Sequence, residues 1–366
     1  MQRTTAAVFV TALLLIGSVG GVMALAIPDG DPAQQSNQQQ AACDYEALFD
    51  RTIDSVVSVR TTTGQGSGFV YDAADASGVN QTGDTHIVTN AHVIRDAATV
   101  EVQFDENEFR TGTVVGRSTY ADLAVVNVSD APENAEGLSV ADSDPDRGEK
   151  VAALGNPLGL EETITHGIVS GVNRSLPTQR GFEIPNVVQT DAPISPGNSG
   201  GPLVTCDGTV VGVNTAGIAQ QGAENIGFAV SASVIERVAP ALATNGSFDY
   251  PYLGISSRPV TPAVAEANDL DRTEGVVVVS TVDDGPASGV LRGATGYGNA
   301  SGQIVPVGGD VIRTIDGTTV TTSEDLATYL VTETRPGETV EMTVLRDGQE
   351  RTVNATVGER PAPGTS

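Results

Sequence analysis

The chain has 366 residues, enough for two or three domains, and 39% of them are apolar, with Val and Ile prominent and Trp absent. Such branched side chains support cores built from β-strands. Forty-six acidic residues stand against 19 basic ones, and a net charge of −27 argues against nucleic acid or an anionic membrane surface as a partner.

Arg3 precedes an apolar run over residues 6–26, "AAVFVTALLLIGSVGGVMALA", which ends in Ala24-Leu25-Ala26. The ending fits the small-x-small cleavage site of a signal peptide. Uncut, the run is also long enough to span a bilayer as an anchor, at about 20 residues. Both alternatives for residues 1–26 place the rest of the chain outside the cytoplasm. Residues 27–43, Gln-rich and poor in apolar side chains, read as a flexible linker.

Ordered structure is expected from Asp44, where "DYEALFDRTIDSVVSVR" reads as a short helix running into a strand. Short β-branched runs follow: "SGFVY", "THIVTNAHVI", "TVEVQF", "TGTVVGR", "DLAVVNV", "KVAALGN", "THGIVSGV" and "GTVVGVNTAGI". Many short strands with frequent turns point to a sandwich or a barrel. A helical period over residues 231–242, capped by Ser231 or Ser233, closes this first unit, 44–243.

Residues 250–358 form a second, smaller domain in which "EGVVVVSTV" and "TVEMTVLRDG" read as strands. Residues 323–331 read as a helix, with Ser323 as N-cap and Leu326 and Leu330 on one face. The Gly-rich stretch 291–310 reads as an insertion. N-x-S/T sequons at Asn80, Asn127, Asn173, Asn245, Asn299 and Asn354 are candidate glycosylation sites in an exported protein. Cys43 and Cys206 are either two unrelated thiols or, in an exported chain, one disulfide joining the start of the folded region to a turn beyond Ser199.

Chemistry concentrates around "SPGNSGGPL", residues 195–203. Gly, Pro, Asn and Ser are ordinary turn-formers, so alone the stretch is only a loop. A serine hydroxyl becomes a nucleophile when a base takes its proton and a carboxylate orients that base. Of the three histidines, His92 lies where an extended run gives way to a short helix, whereas His86 and His166 are expected to be exposed loop residues. Asp122 precedes the apolar run "LAVV", which would hold its carboxylate against a rigid strand. The order His92, Asp122, Ser199 is that of the chymotrypsin-like double barrel, not of subtilisin or the α/β-hydrolases.

With their surroundings, these blocks resemble the HtrA/Deg family of trypsin-like serine proteases. The match is carried by "TNAHV", "ADLAV", "GNSGGPL", "GSGFV", "ALGNPLGL", "THGIVSG", "QTDAPISPGNSGGPL", "GVNTAGI" and "IGFAVS". "YLGI" and "GGDVIRTIDG" are similar to that family's PDZ domain. The resemblance spans roughly residues 44–358. It implies a mostly β fold, a chymotrypsin-like double β-barrel followed by a small α+β PDZ domain.

By resemblance Ser199 is the nucleophile, His92 the general base and then acid, and Asp122 the residue that holds the imidazole tautomer. Gly197, Asn198 and Ser199 make the oxyanion turn, with the N–H groups of Gly197 and Ser199 as donors. Asn198 stands where digestive relatives carry Asp, and an amide offers no charge to a newly cut N-terminus. Activation is therefore expected by rearrangement of the loops after "ALGNPLG" and after "GVNTAGI" rather than by proteolysis.

The substrate pocket is assigned to Ile194, Asn214, Thr215, Ala216, Ile226, Gly227 and Phe228; none is charged, so cleavage after small or medium aliphatic residues is expected. Asp191 is matched to a family Asp rather than to an Arg/Lys pocket. Tyr252, Leu253, Gly254 and Ile255 would receive a peptide C-terminus, with the 323–331 helix as the other wall.

The resemblance further implies an exported, ATP-independent endopeptidase acting on misfolded polypeptides, with no metal or cofactor. A homotrimer or higher homo-oligomer contacting through Tyr45 and Phe49 is expected, with a membrane tether if residues 1–26 are retained. The alternatives are a regulatory protease with one dedicated substrate and a chaperone or peptide-binding module with weak protease activity. The acidic, Lys-poor composition resembles that of proteins from salt-accumulating halophiles.

Overall fold

In the computed structural model, which describes residues 43–72, 85–105, 108–156, 162–178, 180–215 and 226–362, the short β-branched runs close into two six-stranded barrels. Helix α1 (Tyr45–Thr52) leads into the first, made of β1 (Val56–Arg60), β2 (Gln65–Val70), β3 (Thr85–Thr89), β4 (Thr99–Asp105), β5 (Glu108–Ser118) and β6 (Leu123–Val128). Its strand order is β1-β2-β3-β6-β5-β4, and one turn of helix, α2 (Ala91–Ile94), follows β3. The second barrel comprises β7 (Lys150–Gly155), β8 (Thr163–Pro177), β9 (Glu183–Thr190), β10 (Pro202–Thr205), β11 (Val210–Thr215) and β12 (Gly227–Ser231). Its order is β10-β11-β12-β9-β8-β7.

The two faces of these strands explain their nearly continuous apolar runs. Val57, Val59, Ile87, Val102 and Val126 fill the interior of the first barrel. On the opposite faces Val56, Phe69, Leu123 and Val125 join Leu154, Val187 and Val213 of the second barrel in one shared core. Burying each such side chain contributes about 1.5–3 kcal/mol. Helix α3 (Ala232–Asn245) adds Val234, Ile235, Val238 and Leu242 to that core, begins after Ser231 and stops at Gly246.

The second domain is built from β13 (Pro251–Tyr252), β14 (Ile255–Pro259), α4 (Pro262–Ala267), β15 (Val276–Thr281), β16 (Gly296–Ala300) and β17 (Gln303–Val307). It continues through β18 (Val311–Ile315), β19 (Thr318–Thr319), α5 (Ser323–Glu333), β20 (Thr339–Arg346), β21 (Gln349–Thr356) and β22 (Gly358–Glu359). The main sheet runs β14-β15-β18-β20-β21, over a core of Val276, Ile312, Leu326 and Met342. Asp310 is buried and takes two hydrogen bonds of 2.7 Å from the Arg346 guanidinium, so both charges are paired.

Several sequence expectations change here. His86 is not a loop residue but a buried one on β3, 7% exposed, paired with Asn127 of β6. His166 lies on β8 and stacks on Tyr45 with ring centroids 4.3 Å apart. The α5 N-cap is Thr322 rather than Ser323: its hydroxyl accepts the Asp325 N–H while the Asp325 carboxylate accepts the Thr322 N–H, a complete capping box.

The Gly-rich insertion forms the β16–β17 hairpin and packs on α4, where the Asn268 amide donates to Pro306 O and accepts from Gly308 N–H. The sequon at Asn173 is occupied by other business, because its amide nitrogen donates to Asp325 at 2.6 Å. The sequon at Asn80 lies outside the described residues, as do residues 1–42 with the expected signal or anchor and all but Cys43 of the linker. Cys43 and Cys206 are joined in a disulfide that fastens the start of α1 to the turn after β10. Among the described residues no helix is long and apolar enough to cross a membrane.

Candidate active site

His92 and Asp122 are assembled by the backbone before their side chains meet. Helix α2 is a single turn whose N–H groups need outside partners. Asp122 supplies them: its carbonyl accepts the Ala91 N–H at 3.1 Å and its Oδ1 accepts the His92 N–H at 3.0 Å. The buried Asn90 amide donates to the same carbonyl at 3.0 Å. Asp122 has φ 53°, a left-handed conformation that Asp tolerates better than most residues. That bend just before β6 turns both its carbonyl and its carboxylate toward α2.

The imidazole Nδ1 lies 2.8 Å from Asp122 Oδ2, with the His side chain 42% exposed and the Asp side chain 9% exposed. Thr215, at the end of β11, donates its hydroxyl to the same Oδ2 at 3.2 Å. A carboxylate bonded on both oxygens is fixed in position. Holding Nδ1–H leaves Nε2 as the free basic nitrogen.

Ser199 sits in the turn between β9 and β10 and is 5% exposed. Ser67, fully buried on β2, holds this turn from behind. Its N–H donates to Ser199 O at 2.8 Å, and its hydroxyl donates to Gly197 O at 2.6 Å while accepting the Asn156 N–H at 2.8 Å. Gly197 has φ 111°, a conformation that side chains avoid. At Gly200 a Cβ would collide with Ser67 O and Thr89 Oγ1, so the turn is packed onto the first barrel as closely as backbone allows. Asn198 is buried, and its Oδ1 accepts the Thr163 hydroxyl at 3.0 Å. The amide thus finds a neutral partner on β8.

Known proteins resemble both parts of the chain. A trypsin-like peptidase domain model matches residues 66–213, and a PDZ domain model matches residues 251–357. The chain is 32% identical over 330 residues to the serine protease Do-like HtrB of Bacillus subtilis, covering 86% of this chain and 70% of that one. The chain belongs to the HtrA-type serine protease family. It is also 36% identical over 298 residues to the probable periplasmic serine endoprotease DegP-like of Halomonas elongata, covering 81% of this chain and 56% of that protein. The HtrA-type protease AlgW solved with a tripeptide superposes with a TM-score of 0.68 at 31% identity, over 88% of this chain and 99% of that one. The serine endoprotease from Yersinia pestis gives 0.58 at 29%, over 87% and 99%. The chain spans little more than half the length of the DegP-like relative.

Within this HtrA-type framework the residues assigned to the substrate pocket divide. Ile194 and Gly227 face one another, since a Cβ on Gly227 would lie 2.9 Å from Ile194 Cδ1. Ile226 is 47% exposed beside them. Phe228 is half-buried and packs on the shared core. Asn214 is fully buried, and its amide nitrogen bridges Leu154 O and Pro202 O, so it braces the wall from behind. Ala216 lies outside the described residues, as do residues 157–161 and 217–225, where the two loops expected to rearrange begin. Asp191 is tied to β8, accepting the Ile168 N–H at 2.7 Å.

Sequence reasoning passed over Ser67 and Thr215 as supporting residues. Ser67 stands in the "GSGFV" motif, and the Gly on either side of it is the one signal of close backbone approach. A Cβ on Gly66 would lie 2.8 Å from Ser199 O.

In the PDZ domain Leu253 is buried and Gly254 has φ 72°, so the "YLGI" segment bends before β14 begins. The Ser257 and Ser323 hydroxyls lie 3.0 Å apart, linking β14 to the first turn of α5. The outer side of α5 is docked on the protease domain. Asn173, on β8, donates to Asp325 at 2.6 Å and accepts the Thr328 hydroxyl at 2.5 Å.

Proposed function

We propose that the chain is a serine endopeptidase in which Ser199 attacks the scissile carbonyl carbon while its proton passes to His92 Nε2. The resulting imidazolium is held by Asp122 and then gives that proton to the departing amine. Water repeats the sequence in reverse to release the acyl group. The N–H groups of Gly197 and Ser199 receive the developing oxyanion, each such donor contributing roughly 3 kcal/mol at the transition state. The observation that carries this reading is the 2.8 Å contact between His92 Nδ1 and an Asp122 carboxylate already fixed by Thr215 and the His92 N–H.

The substrates proposed are misfolded or damaged polypeptides, cleaved without ATP outside the cytoplasm, since several relatives are named as periplasmic endoproteases. The PDZ domain binds exposed C-termini along β14, and the AlgW neighbours solved with a tripeptide and a decapeptide support that reading. A trimer through the Tyr45 and Phe49 region and a tether through residues 1–26 complete it.

A regulatory role is the second reading, favoured by the Asn173 contacts that join the PDZ helix α5 to strand β8. A ligand that moves α5 would be felt in the protease domain. Digestion of unfolded casein tests the first reading: wild type cleaves in low or in molar salt and Ser199→Ala does not. Cleavage by Ser199→Ala, or none by wild type with a PDZ peptide added, would overturn it.

A further inference from the structure

Beside the catalytic pair lies a second concavity of about 310 Å³, whose walls include His92, Asp122 and Thr215. Neither Ser199 nor Ile194 and Gly227 of the primary pocket takes part in it. It lies against His92 and is separate from the turn that carries Ser199. Strand β11 ends at its rim, at Thr215. A substrate strand that paired with the end of β11 would lay the second to fourth residues ahead of the scissile bond over this cavity.

The floor is apolar, formed by the buried Leu176 and Ile184 with Phe182 beside them. The rim is basic. Arg95, Arg117 and Arg180 all line it, against Asp96 alone apart from the catalytic Asp122. Only 18 Arg and one Lys serve a chain with 46 carboxylates, so three Arg at one small cavity reverse the charge of the rest of the protein. Arg117 is committed locally, 3.3 Å from Asp96 and bonded to Arg95 O. Among the described residues neither Arg95 nor Arg180 is paired with a carboxylate. Arg95 also ends α2 at φ 52°, ψ −121°, a conformation costly to any residue but Gly.

Resting on the protease reading above, we infer that this cavity is an acidic-residue subsite. Arg95 and Arg180 select a Glu or Asp side chain two to four residues ahead of the cleaved bond. The side-chain methylenes lie on Phe182 and Leu176, and the carboxylate meets a guanidinium, which binds it through paired N–H donors. In a protein whose field otherwise repels acidic chains, the cavity gives such substrates one point of attraction next to the catalytic histidine.

The test is a set of fluorogenic peptides with a fixed small aliphatic residue before the scissile bond. Each carries Glu, Gln or Lys at one of the three preceding positions. Wild type is expected to show about a fivefold higher kcat/KM for Glu over Gln at one of them, the scale of one or two half-exposed ion pairs. The Arg95→Ala/Arg180→Ala double variant brings that ratio to about one, and Arg180→Glu turns the preference toward Lys. Each ratio is taken within one preparation, so the fraction of folded enzyme cancels. A wild-type ratio near one at all three positions overturns the subsite and leaves the protease reading standing, as does a ratio the double variant does not change. Failure to cleave any of the peptides overturns both.

Discussion

Replacing Ser67 by Ala should damage catalysis although Ser67 touches no substrate. The hydroxyl removed is fully buried and serves two backbone groups, the Gly197 carbonyl at 2.6 Å and the Asn156 N–H at 2.8 Å. Alanine leaves both without that partner, the Asn156 N–H in a buried place and the Gly197 carbonyl in a partly buried one. An orphaned buried group costs about 1–3 kcal/mol and a partly buried one less, so the substitution destabilises the turn by about 2–4 kcal/mol. The protein either accepts that loss or lets Gly197 rotate to find another donor. Rotation moves the adjacent peptide out of line for an oxyanion and lowers kcat by about tenfold or more, with KM little changed. The assay is steady-state cleavage of one peptide beside thermal unfolding of the same sample, where a loss of this size moves Tm by on the order of 10 °C. A Tm drop with unchanged kcat would refute the argument, because Ser67 would then be a packing residue only.

Asp122→Asn keeps the shape of the pair but lets the imidazole take the wrong tautomer, and kcat should fall by about 10⁴-fold in single-turnover and steady-state assays alike. Burial pushes the Asp325 carboxyl up, but hydrogen bonds from Thr321 and Thr322 outweigh it and hold it below the usual carboxylate range. Because the folded value lies below the unfolded one, its contribution is present at neutral pH and is lost as pH falls below about 4. Native-state hydrogen exchange should show α5 loosening in that window, and an Asp325→Asn variant should lack the transition. Breaking the disulfide by Cys43→Ser opens a loop of 163 residues, for which chain entropy sets an upper loss of about 5 kcal/mol. Thermal unfolding should report a lower Tm, equal to that of wild type with reductant.

The barrels were legible because a strand buried on both faces must be apolar almost throughout, and the runs around Val59, Val102, Val125 and Val213 show that directly. The proposed triad was legible for a different reason: His92, Asp122 and Ser199 each stand between two strands, beside small or turn-forming residues. Ser67 and Thr215 were not, since a hydroxyl in a β-branched run looks the same whether it faces solvent or braces a turn 130 residues away. His86 illustrates the converse. Nothing in "DTHIVT" says which side of β3 faces inward until β6 is paired beside it. The capping box at Thr322 and Asp325 was present in the sequence, but two adjacent hydroxyl residues made the boundary ambiguous by one position.

The central claim is that one serine, activated by His92 and Asp122, attacks carbonyl-like electrophiles. A tagged phosphonate incubated with the folded chain, with and without a C-terminal peptide for the PDZ domain, reads that directly by mass spectrometry. Labelling is predicted at Ser199 alone, abolished in Ser199→Ala and slowed at least a hundredfold in His92→Ala. Labelling at another serine, or none in either condition with the protein folded, would contradict it.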